Sequence, residues 1–411
     1  MRVVTTAAAT GRLRSLEALR HRDFRLLWIG QTVSLIGDAA FVTALGWRTF
    51  TLAGTGRFGV VLTCQAAAQT TTMLLGGALA DRYPRRTLMI VSDLARLVVV
   101  AALAGLDATG HLDFTSLVVL ATLMGLGDGF FYPAFGGMVP LLVDPPSIPS
   151  ANSLIGVARW SSLLVGPSLA AFLYGGFGSA TVFAIEAGSF LVSALFVWRT
   201  RPRAVEAAAR EGTFSEIRSG IRYVASVPWL WVTIALFGFV LMLQFAPQQV
   251  LMPKLVREQW GRGVTAYGLL TTMLGVGTII GTLLYGHFQP RRNRGVVSYM
   301  VWVLNSVSIF AFALSPWYPL AAGLMVFRGI CIGFAVAIWE TMLMELVPPH
   351  LLSRVVSLDY FGSFGLMPVG LAVTAAVAGV ADPRTLIASG AAISTVLFLL
   401  VLTRPWLRDV H

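Results

Sequence analysis

Charge is scarce in this chain: only 12% of its 411 residues are Asp, Glu, Lys or Arg, about half the ~25% of an ordinary soluble domain. Lysine is all but missing. Lys254 is the single one and follows Pro253, so there is no Gly-Lys-Ser/Thr phosphate loop, and ATP-driven pumping by this chain alone is excluded. The five histidines (His21, His111, His287, His350, His411) stand at no metal-ligand spacing, and no nucleophile motif accompanies them. An enzyme is therefore not expected, nor a metal or other cofactor. The two cysteines, Cys64 and Cys331, fall in apolar stretches, form no disulfide or metal framework, and read as buried filler.

What fills the chain is apolar: 56% of its residues are hydrophobic. A membrane-crossing helix needs ~20 mostly apolar residues. About twelve such stretches occur, near 24–50, 58–80, 87–106, 114–142, 153–174, 180–198, 229–252, 266–288, 296–314, 318–347, 355–380 and 385–403. They are apolar all round rather than alternating, so they read as helices that satisfy their own backbone in lipid and not as barrel strands. The first is too long for a signal-peptide core and shows no clear small-residue cleavage site.

The net charge of +11 would suggest nucleic acid in a soluble protein, but its distribution points elsewhere. Twenty-one of the 30 Lys and Arg fall in the termini and in the loops on one side, five (Arg57, Lys254, Arg257, Arg262, Arg384) in the opposite loops, and four (Arg48, Arg96, Arg159, Arg328) inside spans. The positive-inside rule places both termini and the long central loop in the cytoplasm of an inner-membrane protein. An even number of spans requires the same.

A fixed offset of 204 residues aligns the two parts of the chain. Gly77 falls on Gly281, Gly125 on Gly329, Gly129 on Gly333, Phe130 on Phe334, Pro145 on Pro349, Ser153-Leu154 on Ser357-Leu358, and Gly166 on Gly370. The organisation expected is a six-helix bundle over 1–198, a cytoplasmic linker over 199–228, and a second six-helix bundle over 229–411, pseudo-symmetric about the membrane normal. Within the linker, Ile217, Ile221 and Val224 share one face, which predicts an amphipathic helix on the lipid surface. Leu13, Leu16 and Leu19 suggest another before the first span.

Between the second and third stretches runs Gly77-Ala78-Leu79-Ala80-Asp81-Arg82-Tyr83-Pro84-Arg85-Arg86. A carboxylate and three guanidiniums crowd one short turn, where Asp81 can face a helix N-terminus and the arginines can meet acids or lipid phosphates. This resembles the signature loop of the major facilitator superfamily, in Gly77, Asp81 and Arg85, with Pro84 in place of the usual Gly. Gly166-Pro167 in the fifth stretch resembles the Gly-Pro motif of the superfamily's antiporters, with Ser162, Ala170 and Ala171 where glycines are usual. Phe24-Arg25-Leu26-Leu27-Trp28 through Gly37-Asp38, Pro149-Ser150-Ala151-Asn152-Ser153-Leu154 and Arg354-Val355-Val356-Ser357-Leu358 are similar to the macrolide-efflux and enterobactin-exporter-like branch. The resemblance spans nearly the whole chain. It implies an all-α, twelve-helix major facilitator fold that exports amphipathic small molecules in exchange for protons, as a monomer whose partners are substrate, protons and lipid. Uptake by the same fold and a non-transporting receptor or scaffold stay open.

Ionisable groups inside a membrane are costly and so are candidate functional groups. The resemblance implies that the first, fourth, seventh and tenth helices line a cavity. On them lie Asp38, with Gln31 and Ser34 on the same face, Asp128 beside Phe131, Tyr132 and Phe135, Gln244, and Arg328 with Trp339 and Glu340. Asp38, Asp128, Glu186 and Glu340 are the candidate proton-coupling acids. Gln31, Ser34, Phe131, Tyr132, Phe135, Gln244, Arg328 and Trp339 are the candidate cavity wall, and Gly77, Asp81, Arg82, Arg85 and Arg86 the candidate cytoplasmic gate. Arg48 or Arg159 is expected beside Asp38, and Arg159 is a candidate partner of Glu186. Asp93 and Arg96, three apart, are expected to pair as a structural element.

Overall fold

The computed structural model describes residues 16–203, 213–290 and 292–408, and every regular element in them is helical. The first six long helices are α1 (Arg22–Ala53), α2 (Thr55–Arg82), α3 (Arg85–Ala108), α4 (Phe114–Met138), α5 (Ile148–Phe177) and α6 (Ser179–Trp198). A linker helix, α7 (Thr213–Ser226), follows. Then come α8 (Pro228–Trp260), α9 (Val264–Phe288), α10 (Arg294–Leu314), α11 (Tyr318–Leu346), the broken pair α12 (Pro349–Phe364) and α13 (Met367–Val377), and α14 (Pro383–Leu402). Eleven rods among the described residues are long and apolar enough to cross a membrane. The further rod, α2, is 28 residues long and carries Gln65, Gln69 and three consecutive threonines at its middle.

The ends of these rods follow from local chemistry. Asp113 and Asp382 cap α4 and α14 by accepting the backbone N–H of Ser116 (2.8 Å) and Thr385 (3.1 Å), which satisfies donors the helix leaves open. The α5–α6 corner turns on Gly178, at φ +84°, a conformation only glycine adopts without strain.

The chain divides into two compact units, residues 1–52 with 64–208, and residues 53–63 with 209–411. In the first unit α1 lies on α6 through Gly30 and Gly37, seven residues apart and therefore on one face. Side chains at these two positions would run into Phe196, and into Glu186 and Ser189. α1 also meets α5, where a Cβ on Gly166 would sit 2.5 Å from the Ala39 Cβ and 2.8 Å from the Ile36 carbonyl. The degenerate Gly-Pro motif thus works as a small-residue crossing. In the second unit α9 and α11 cross through glycine backbones, Gly277 and Gly281 against Val326 and Ile330, Gly329 and Gly333 against Leu274 and Thr278.

The linker forms a helix that packs on its own unit along part of its length. Ile221 is exposed, while Tyr223, Val224 and Val227 pack on Leu343, Val347, Leu351 and Val355 of the second unit. Ser219 accepts a hydrogen bond from Arg354 at 2.7 Å. Tyr223, Val224 and Val227 therefore cover helix ends of their own unit, and Ile221 stays outside that contact. The side chain of Ile217, and Leu13 altogether, lie outside the described residues.

Candidate functional site

Polar side chains converge inside the first unit on Arg96, from α3, which is 2% exposed. Its Nη2 donates to Asp93 Oδ1 at 2.5 Å and its Nη1 to Asp128 Oδ1 of α4 at 3.1 Å. The guanidinium carbon lies 4.2 Å from the Phe131 ring centroid and 4.3 Å from that of Phe190, so the cation rests against two aromatic quadrupoles. Asp93 Oδ2 accepts from Ser193 of α6 at 2.6 Å, and Ser193 accepts from Gln31 Nε2 of α1 at 2.7 Å. α1, α3, α4 and α6 are tied together by this one network. Arg96 Nε is buried without a partner, but its two Nη atoms are paired, and in low dielectric deleting one member of such an ion-pair network leaves an uncompensated charge.

Next to it lies a pair of acids. Glu186 of α6 is fully buried. Its Oε2 accepts from Ser189 at 2.9 Å, and its Oε1 is buried with no hydrogen-bond partner. Its carboxyl packs on the bare Cα of Gly37, and its neighbouring acid is Asp38. The guanidinium that acts on Asp38 is Arg96. Arg48 instead pairs with Asp107 at 2.7 Å, where Ser179 also donates. Arg159 is exposed and makes no ion pair with Glu186. Its charge acts on Tyr132 instead.

The other candidates distribute as follows. Ser34 is buried on the Gln31 face of α1. Phe131 stacks on Phe135 and meets Tyr132 edge-on, with centroids 6.0 Å apart in both cases. Gln244 and Arg328 are buried in the second unit. Trp339 packs edge-on to Trp229 and donates to Asp359 at 2.9 Å. Glu340, on α11, is exposed and belongs to the second unit. In the loop motif, Arg82 is exposed. Arg85 donates to the Gly137 carbonyl at the end of α4, and Arg86 to the Trp198 carbonyl closing α6. These two arginines thus cap helix C-termini, where the dipole favours cations. The side chains of Gly77 and Asp81 lie outside the described residues. On the corresponding edge of the second unit Arg294 pairs with Glu345.

Sequence reasoning missed Ser189 and Ser193, and with them the joining of Arg96 to Asp128. A signal was present: Glu186, Ser189 and Ser193 recur at three- and four-residue steps, one polar stripe on an otherwise apolar helix.

These helices and their buried charges define a multi-spanning membrane transporter of the major facilitator superfamily. Its fold is that of a point mutant of the nucleoside transporter NupG (TM-score 0.73, 12% identity, over 93% of this chain and 100% of that one). A bacterial homologue of the iron transporter ferroportin shares it (TM-score 0.72, 15% identity, 93% and 99%). Within the superfamily the chain belongs to the transmembrane secretion effector family, whose model matches residues 14–409. It is similar to the multidrug efflux pump Tap of Mycolicibacterium fortuitum, at 27% identity over 75% of this chain and 77% of that protein. It is also similar to the enterobactin exporter EntS of Salmonella choleraesuis, at 24% identity over 81% and 80%.

Proposed function

We propose that this protein exports small amphipathic molecules across the cytoplasmic membrane by alternating access, in exchange for protons, with both termini in the cytoplasm. The direction rests on relatives named for efflux, similar over three quarters of the chain or more. The orientation rests on the distribution of arginines.

The observation that carries the coupling is the acid pair. Asp38, Asp93, Asp128 and Glu186 all act on a single guanidinium, Arg96. Arg96 hydrogen-bonds Asp93 and Asp128, so Asp38 and Glu186 are left to each other, and Glu186 Oε1 has no partner. Glu186 is buried and Asp38 half-buried beside it; two such adjacent carboxyls are costly to ionise together, and a proton shared between them relieves both. Moving Arg96 toward or away from Asp38 then exchanges one counter-charge for another, so proton release follows helix movement. The cycle requires the proton-bound and proton-free pairs to favour different orientations of the transporter.

The test uses inverted vesicles with an imposed proton gradient and a panel of cationic, neutral and anionic amphipathic dyes. Asp38→Asn and Glu186→Gln mimic the protonated acids. Each is expected to reduce uphill dye movement at least tenfold while keeping dye–dye counterflow. Full uphill transport by both variants at matched protein would overturn the coupling assignment, and wild-type flux indifferent to collapse of the gradient would overturn proton antiport.

A further inference from the structure

The second unit holds a buried cation with nothing to neutralise it. Arg328 lies in mid-α11, 4% exposed. Among the described residues its guanidinium has no ion pair and no hydrogen bond, its Nε is sealed from solvent, and no acidic side chain acts on it. One turn earlier, Met325 Sδ is 3.8 Å from Gln248 Nε2 of α8. A helical side chain leans over the turn N-terminal to its own Cα, which sets Arg328 above the Met325 turn that Gln248 covers. Gln244, one turn before Gln248, is also buried. It sits in a π-helical turn, Leu241–Phe245, that widens α8 at this point, and such turns are frequent at functional sites. Gln244 Nε2 and Gln248 Oε1 are both buried without partners. Buried polar groups in a packed protein are satisfied as a rule. Here a guanidinium, an amide donor and an amide acceptor are unsatisfied on facing helices.

We propose that Arg328, with Gln244 and Gln248, binds an oxyanion group of the exported compound. The substrate class is thereby narrowed to amphipathic acids, an inference that rests on the export reading above. A guanidinium offers two parallel N–H donors matched to a carboxylate or sulfonate. The Gln244 amide adds a third donor, and Gln248 Oε1 accepts from a neighbouring hydroxyl or amide of the compound. A neutral or cationic compound leaves the Arg328 charge unanswered.

The experiment measures binding, without any gradient, by calorimetry on the full-length protein in nanodiscs in a zwitterionic buffer. The probes are 1-naphthoate, 1-naphthalenesulfonate and the uncharged 1-naphthamide. The wild type is expected to bind at least one anion tenfold or more tighter than the amide. Arg328→Gln should erase that preference and Arg328→Lys keep part of it. Arg328→Gln should melt no lower than wild type, since it removes an unpaired buried charge. If no anion is preferred, or the preference survives Arg328→Gln, the site is refuted. So it is if chloride alone raises the wild-type melting temperature in an Arg328-dependent manner, because the ligand is then an inorganic ion. A lower melting temperature with loss of naphthamide binding marks a structural residue and also refutes it. Arg328-dependent anion binding in a protein that moves no probe under a gradient sinks the export reading and leaves the site standing. Undiminished export of anions by Arg328→Gln does the opposite.

Discussion

Arg96 and Arg328 are both buried in mid-helix, one in each unit, and their surroundings could hardly differ more. Arg96 has two aspartates within 3.1 Å and two aromatic rings against it, whereas Arg328 has neither ion pair nor hydrogen bond among the described residues. The helix contacts around them diverge in the same way. α3 meets α6 through Asp93, Ser193 and Arg96 stacked on Phe190. In the second unit the matching pair, α10 and α14, meets through aromatic rings, with Tyr299 and Trp302 on Phe398 at 5.9 and 6.2 Å. One repeat has placed charge at a helix seam where the other has placed rings. The first unit therefore carries the acids on which the proposed proton exchange rests. The second combines a seam of aromatic rings with a buried cation that has no ion pair among the described residues.

The comparison breaks most sharply at the two arginines. Arg96→Leu leaves Asp93 and Asp128 buried without a counter-ion and should cost about 3–5 kcal/mol, read as a lower midpoint in an SDS unfolding titration. Adding Asp93→Asn and Asp128→Asn should recover part of the loss. Arg328→Leu in the same assay should cost nothing or stabilise. Equal losses at the two sites would mean that Arg328 has a partner after all, and the contrast between the units would collapse.

A smaller effect separates the first seam from the bond between α8 and α10 in the second unit. Ser193→Ala removes a hydrogen bond to a charged carboxylate and should cost about 1.5–3 kcal/mol. Thr233→Val removes the 2.8 Å bond to Tyr299 between two neutral hydroxyls and should cost about 0.6 kcal/mol, the mean for interhelical bonds in membranes. The same unfolding titration ranks them, and the reverse order would show that the first seam is held by packing rather than by charge.

The smallest effect lies outside the membrane. Asp144, in the α4–α5 loop, takes a hydrogen bond from Arg203 that holds its carboxyl below the ordinary value, with His21 3.8 Å away adding to the effect. A lowered carboxyl favours the folded state at pH above its unfolded value of ~3.9 and loses that contribution as pH falls through its folded value. The Arg203 N–H, bonded to the Leu141 carbonyl at 3.1 Å, should keep its protection from exchange at neutral pH and lose it only below about pH 4, after correction for intrinsic exchange. Loss well above pH 4 would show that Asp144 is not the controlling group.

Composition and order alone determined the membrane class, the helical rods, the 204-residue repeat and the suspicion falling on Asp38, Asp128 and Glu186. Each follows from properties of single segments: a span must be apolar over its length, and an ionisable group in it is costly wherever it points. The pairing of those groups was legible only where it was local. Asp93 and Arg96 are three apart on one helix, and that contact could be read directly. Arg96 with Asp128, Ser193 with Gln31, Arg48 with Asp107 and Trp339 with Asp359 cross between helices 20 to 162 residues apart. These depend on the rotation and depth of each rod, which glycine contacts such as Gly37 on Glu186 and Gly166 on Ala39 set. Periodicity gives a helix its face but not its neighbour. The tertiary structure alone decided that, among the described residues, Arg96 is neutralised and Arg328 is not, because a counter-ion is a matter of distance in space.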